Sequence, residues 1–211
     1  MANFSITGPA GALELALELP TGEWAQSPRG LALVAHPHPL HGGTMDNKVV
    51  TTLARACAQQ GFVALRFNYR GVGHSAGTYD AARGEVDDAA CALAYLRAKY
   101  PNLMTAPLVL CGFSFGTAIV TQLALRPATG AVAGMVLAGA AVQRFASNAR
   151  VNPDTTLLIH GERDETVPLA ETLAWCAPQA LPVTVIPAAD HFFNRQLLPL
   201  RACVTRFLRL V

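Results

Sequence analysis

Nearly continuous apolar runs recur along the chain at Leu31–His36, Phe62–Asn68, Leu108–Gly112, Gly134–Ala138, Thr156–His160 and Val183–Pro187. Runs without strict alternation are the pattern of strands buried on both faces of a parallel sheet. Helical patterns lie between them at Asp46–Gln60, Glu85–Tyr100, Phe115–Leu125, Leu169–Cys176 and Arg195–Leu210. Strand followed by helix, repeated in this way, predicts a doubly wound α/β fold. Ahead of these units come Phe4–Thr7 and Leu13–Leu19. The second reads Leu-Glu-Leu-Ala-Leu-Glu-Leu, a period-two pattern that predicts an antiparallel strand with one wet face at the edge of a mostly parallel sheet. Gly61 and Pro101 sit where two helices should stop, and Thr44 or Asp46 could cap the first helix. No internal repeat, low-complexity tract or linker interrupts the pattern, so one domain over residues 1–211 is expected.

Composition narrows the class. With 52% hydrophobic and 14% charged residues in 211, the chain can bury a sizeable core without disulfides or metals. The most apolar stretch, Ala131–Val142, falls well short of the ~18 to 20 residues that cross a bilayer. The N-terminus lacks a basic region followed by an apolar one, so no secretory signal is read and the cytoplasm is the expected address. Five scattered cysteines, none in a CxxC pair, suit reduced thiols rather than a zinc site. A net charge of +2 without a basic run argues against a nucleic-acid partner. A small-molecule substrate is the expectation, with no membrane and no cofactor.

The segment Gly112-Phe113-Ser114-Phe115-Gly116 fits G-x-S-x-G between a predicted strand and a predicted helix. From composition alone such a pentapeptide would arise about 0.03 times in this chain. A nucleophile elbow holds its serine in a strained turn above the sheet, and side chains at the flanking glycines would collide with the crossing strand and helix. The plainer reading is a glycine-rich turn in which Ser114 only caps the helix.

A serine hydroxyl needs an imidazole to take its proton and a carboxylate to hold that imidazole. An elbow of this kind draws its acid and then its base from later loops. Two histidines follow Ser114. His160 ends a strand, where packing or a turn hydrogen bond suits it. His191 lies on the loop after the last strand and is the candidate base. Glu162, Asp164 and Glu165 share the loop after Thr156–His160. Asp164 is preferred as the short carboxylate able to reach back across the strand ends. Asp190 is the rival, but as the immediate neighbour of His191 it should point the other way. Asp87 and Asp88 read as surface charges or helix caps.

The intermediate's oxygen needs two donors. The Phe115 N–H is one. The other is sought in His36-Pro-His-Pro-Leu-His-Gly-Gly, where Pro37 and Pro39 lack N–H groups and the His38 amide remains. Three closely spaced histidines also invite a metal reading, but no carboxylate or cysteine nearby completes a ligand set.

Taken together, these segments resemble the α/β-hydrolase superfamily, and within it the small lidless serine hydrolases. The likeness also rests on Asn47-Lys-Val-Val, on Phe67-Asn-Tyr-Arg-Gly-Val-Gly-His-Ser-Ala-Gly, and on Gly84-Glu85 with Asp87-Asp88. It spans nearly the whole chain and implies the same assignments for Ser114, Asp164, His191, His38 and Phe115. It further implies that Arg70 and Ser75 are structural and that His74 is at most a wall residue. Gly139–Thr155 is too short for a helical cap, so an open site is expected. Cleavage of carboxylic esters, with thioesters by the same machinery, is the leading expectation. Peptide or amide cleavage comes next, and a catalytically silent binding protein on the same fold is the alternative from another class.

Overall fold

The computed structural model describes residues 3–146 and 148–211. Two N-terminal strands, β1 (Phe4–Gly8) and β2 (Gly11–Glu18), precede alternating units: β3 (Gly30–Ala35), α1 (Lys48–Gln59), β4 (Phe62–Phe67) and α2 (Arg83–Lys99). There follow β5 (Leu108–Phe113), α3 (Phe115–Ala124), β6 (Gly134–Ala138), α4 (Val142–Phe145), β7 (Thr156–Gly161), α5 (Leu169–Cys176), β8 (Val183–Ile186) and α6 (Leu197–Leu208). They form one sheet in the order β1-β2-β4-β3-β5-β6-β7-β8. β1 with β2 and β2 with β4 are antiparallel, and the other neighbours are parallel.

Strands β3 to β6 are buried at every position, which is why their sequences do not alternate. Their residues still alternate in direction. Leu31, Leu33 and Ala35 face a core shared with Val86, Leu93, Ile119, Leu123 and Trp175, on the side of α2, α3 and α5. Ala32 and Val34 face a second core with Val49, Leu53, Leu200 and Val204, on the side of α1 and α6. The sheet is therefore covered on both faces, and the carboxyl ends of its parallel strands are the place where loops can build a site. The β6–β7 connection holds only the four-residue α4 and a 3-10 turn at Pro153–Thr155, so no lid domain is inserted there. No helix among the described residues is long and apolar enough to cross a membrane.

Some expectations need correction. β2 is not the edge, because β1 covers it, and its glutamate side is not wet at Glu14, which is buried. Burial pushes the Glu14 carboxyl up, but donors outweigh it and hold the pKa below the ordinary value. These are the His74 N–H at 2.9 Å, Asn68 Nδ2 at 2.8 Å and Asn3 Nδ2 at 3.0 Å. Asn68 and His74 come from the segment after β4, too far along the chain for a periodicity reading to include them, and Asn3 from just before β1. Asn47, not Thr44 or Asp46, caps α1, its side chain accepting from the Val49 N–H at 2.9 Å.

Asp88 also departs from its expected surface position. It is buried, accepts from the Arg70 N–H at 2.9 Å, and takes the Arg70 guanidinium at 3.0 and 2.9 Å. Acids in an early helical turn read as solvated, yet this one faces the loop that crosses α2. Removing one partner of a buried, hydrogen-bonded pair leaves the other charge uncompensated. Asp88→Ala is expected to lower stability by about 3 to 5 kcal/mol, read as a lower urea midpoint at an unchanged m-value.

Candidate active site

β5 ends at Phe113, α3 begins at Phe115, and Ser114 makes the turn between them with φ 53° and ψ −119°. A left-handed φ is costly for a residue with a Cβ, so the surrounding structure must enforce it. Close packing of strand and helix does so. A Cβ at Gly112 would stand 2.4 Å from the Gly116 carbonyl oxygen, and one at Gly116 would stand 2.3 Å from that of Ala35. The Ser114 N–H donates to the Ala138 carbonyl at 2.9 Å, tying the turn to β6.

The loop after β8 brings His191 against this serine, with Nε2 3.0 Å from Ser114 Oγ. The loop after β7 brings Asp164, whose Oδ2 lies 2.7 Å from His191 Nδ1. The other carboxylate oxygen, Oδ1, accepts from the Thr166 N–H at 2.9 Å and the Val167 N–H at 2.7 Å. With Asp164 ionised, His191 carries its proton on Nδ1 and presents a bare Nε2 to the hydroxyl. All three side chains are buried, so the relay works in a low dielectric. Asp190 is turned away: its carboxylate accepts from Asn194 N and Nδ2 at 2.9 and 2.6 Å.

His160 is closer to this machinery than its sequence position suggests. Its Nε2 donates to the Val167 carbonyl at 2.8 Å and lies 3.4 Å from Asp164 Oδ2, while Nδ1 faces Thr172 Oγ1 at 3.3 Å. It thus braces the turn that holds the acid. The signal in the sequence was its four-residue spacing from Asp164, which only acquires meaning once the intervening turn is known.

Across Ser114 lies the Pro37–Gly43 loop. The His38 carbonyl accepts from the N–H groups of His41 and Gly43 at 3.1 and 3.0 Å. The His38 ring accepts the Leu40 N–H at Nδ1, 3.2 Å, so its proton sits on Nε2 and points to Tyr79 Oη at 3.2 Å. These bonds fix the loop through the carbonyl and ring of His38 and leave its N–H out of the network. The Phe115 N–H, at the first turn of α3, likewise has no intrahelical acceptor. Phe115 and Phe145 pack beside the His38 ring at 4.9 and 5.7 Å between centroids. Tyr79 and Phe145 carried no motif and were not singled out from the sequence. His74 is exposed and does not line the cleft, while Ser75 bridges the Glu14 N–H and the Asn68 carbonyl at 2.9 and 2.7 Å.

His36, in contrast, is fully consumed. Nδ1 donates to the Pro37 carbonyl at 2.7 Å and Nε2 accepts from the Tyr69 N–H at 3.1 Å. Burial lowers its pKa to about 3 against the opposing pull of that carbonyl. Burial also lowers His160. Below about pH 6.5 the unfolded chain takes up protons at these two positions that the folded chain cannot accept, so stability must fall as pH falls. For His36 the loss continues down to about pH 3. We expect the slope of stability against pH to approach about 1.4 kcal/mol per unit from His36, with His160 acting in the same direction, measured by urea titrations between pH 7 and 4. A flat profile over that range would contradict the neutral, doubly bonded imidazoles.

Ser114, His191, His38, Gly43, Asn47 and Phe192 line a cleft of about 100 Å³. Among the described residues, no group of three or more His, Cys, Asp or Glu side chains could hold a metal ion.

Residues 38–160 match the family described as "Serine aminopeptidase, S33". An α/β serine hydrolase without a lid from Xanthomonas campestris superposes with a TM-score of 0.89 at 34% identity, covering 99% of this chain and 94% of that one. An α/β serine hydrolase homologue from Coxiella burnetii gives 0.83 at 38% identity, covering 97% and 96%. An uncharacterized protein of Rickettsia prowazekii is 41% identical over 129 residues, 60% of this chain. That match spans 50% of the Rickettsia protein, so this chain accounts for about half the length of that relative.

Proposed function

We propose that this chain, which belongs to the α/β serine hydrolase family, cleaves carboxylic esters of small molecules through an acyl-enzyme on Ser114. The observation that supports it is the relay Ser114–His191–Asp164, 3.0 and 2.7 Å long, with Ser114 and His191 lining the same cleft as His38; the His38 and Phe115 N–H groups are read as the oxyanion donors. In this reading Ser114 Oγ attacks the ester carbonyl as its proton passes to His191 Nε2. The carbonyl oxygen becomes an oxyanion facing the two amides. Collapse breaks the bond to the leaving oxygen, which takes the proton back from His191. Water, deprotonated by the same imidazole, then attacks the acyl-enzyme, and a carboxylic acid and free Ser114 result. Thioesters fit the same steps.

A cleft of about 100 Å³ is small beside the ~300 to 1,000 Å³ of drug-sized ligand sites, and suits a short acyl chain. Turnover of p-nitrophenyl acetate and butyrate is expected to exceed that of the octanoate by about tenfold or more in kcat/KM. Intact mass after a fluorophosphonate should show one adduct. The family description raises amide cleavage as the second reading. An aminopeptidase needs a carboxylate to hold the substrate ammonium on the acyl side, whereas His38, His41 and Asn47 line that side here. Alanine p-nitroanilide should accordingly be turned over far more slowly than the acetate ester. Absence of both turnover and labelling in the folded protein would instead favour a silent binding role.

A further inference from the structure

Beside the cleft at Ser114 lies a second one of about 340 Å³, and the two share Thr166, His191 and Phe192. The rest of its wall is Ala188 and three charged residues, Arg163, Glu165 and Asp190. The ester oxygen that departs must lie within hydrogen-bond reach of His191 Nε2, because that nitrogen returns its proton. The alcohol part of a substrate therefore runs past His191, and the larger cleft is the one built on His191's own loop and on the loop of Asp164. The carbonyl and acyl part lies on the other side, against the His38 and Phe115 amides, in the smaller cleft.

Two of the charged groups around the larger cleft are already engaged. Asp190 is occupied by Asn194, and Glu162, on the loop after β7 with Arg163 and Glu165, braces the Ala188 N–H at 2.7 Å. Arg163 and Glu165 are not, and neither side chain has a polar or ionic partner among the described residues. A guanidinium can only donate and a carboxylate can only accept. A neighbouring pair of hydroxyls satisfies both at once, whereas a hydrocarbon group would desolvate them and return nothing. Resting on the ester-hydrolase reading above, we propose that the natural leaving group is a neutral polyhydroxyl alcohol. It would be held by Arg163 and Glu165, with its carbon skeleton against the exposed ring of Phe192.

The test compares kcat/KM for glycerol 1-monoacetate, propyl acetate and acetylcholine by acetate release, in wild type, Arg163→Ala and Glu165→Ala. Glycerol monoacetate and propyl acetate share an acyl group and a three-carbon alcohol, so their ratio isolates the hydroxyls. We expect the glycerol ester to be favoured about tenfold in wild type, falling to about twofold or less in each variant. Equal rates for the two esters in wild type, or a preference that survives both substitutions, would refute the assignment. Preference for acetylcholine would replace it with a cationic alcohol held by Glu165, Asp190 and Phe192. Wild-type turnover of p-nitrophenyl acetate and fluorophosphonate labelling, run alongside, separate the two levels. If those fail, the ester-hydrolase reading fails. If they succeed without the hydroxyl preference, only the leaving-group inference does.

Discussion

Ser114→Ala is expected to reduce kcat for p-nitrophenyl acetate by about 10⁵-fold or more and to abolish the fluorophosphonate adduct, while the fold persists. The substitution removes one oxygen, keeps the Cβ and therefore keeps the strained φ of 53° as it is. The Phe115 N–H, the His38 N–H and the cleft walls do not depend on Oγ, so substrate can still be positioned. What disappears is the atom that makes the covalent bond, and His191 Nε2 loses its partner at 3.0 Å. Groups that act as one unit are not additive. The double variant Ser114→Ala/His191→Ala should therefore be little slower than Ser114→Ala alone. Additive losses in the pair would mean that His191 serves some step other than activating this serine. Urea unfolding midpoints of wild type and Ser114→Ala should lie close together, which excludes misfolding as the cause of lost turnover.

Most of the sheet was readable because a buried parallel strand leaves a simple trace. Leu108–Gly112 and Gly134–Ala138 are apolar at nearly every position, and the structure extends the first by one residue and keeps the second as read. Helix ends shifted by one or two residues at α1, α2, α3 and α6, and at the start of α1 the deciding interaction is a particular side chain. Asn47 capping α1 is the example, since Thr44 and Asp46 have equally suitable chemistry and only the chain path selects between them. That Ser114, His191 and Asp164 would meet was legible for a different reason: the order of strands limits which loops can meet, and few residues of the right type stand on those loops. Glu14 and Asp88 were not legible in the same way, whereas His160 makes the turn hydrogen bond read for it, to the Val167 carbonyl. Glu14 and Asp88 are both polar, buried and satisfied by partners from a crossing loop. A one-dimensional pattern scores such residues as exposed or incidental, because the energy that permits their burial comes from groups it does not connect.

Asp164→Asn should cost about 10⁴-fold in kcat with a much smaller change in KM, and the reason lies in which way the new amide must face. In wild type Oδ1 accepts two backbone N–H groups, from Thr166 and Val167, at 2.9 and 2.7 Å. An asparagine will keep its carbonyl oxygen there, since an NH₂ would set donor against donor at both. The NH₂ is then forced onto the Oδ2 side, toward His191 Nδ1 and near His160 Nε2, which stands 3.4 Å from Oδ2 in wild type. His191 can accept that N–H only by moving its own proton to Nε2. In that tautomer the imidazole points an N–H at Ser114 Oγ and has no lone pair with which to take its proton. The cleft and the His38 and Phe115 N–H groups remain, so substrate binding should change little. Asp190→Asn is the matched control, because its carboxylate holds Asn194 and not the imidazole. It should stay within a few-fold of wild type. Near-normal activity in Asp164→Asn with a large loss in Asp190→Asn would reassign the acid and require the loop after β8 to reorganise during turnover.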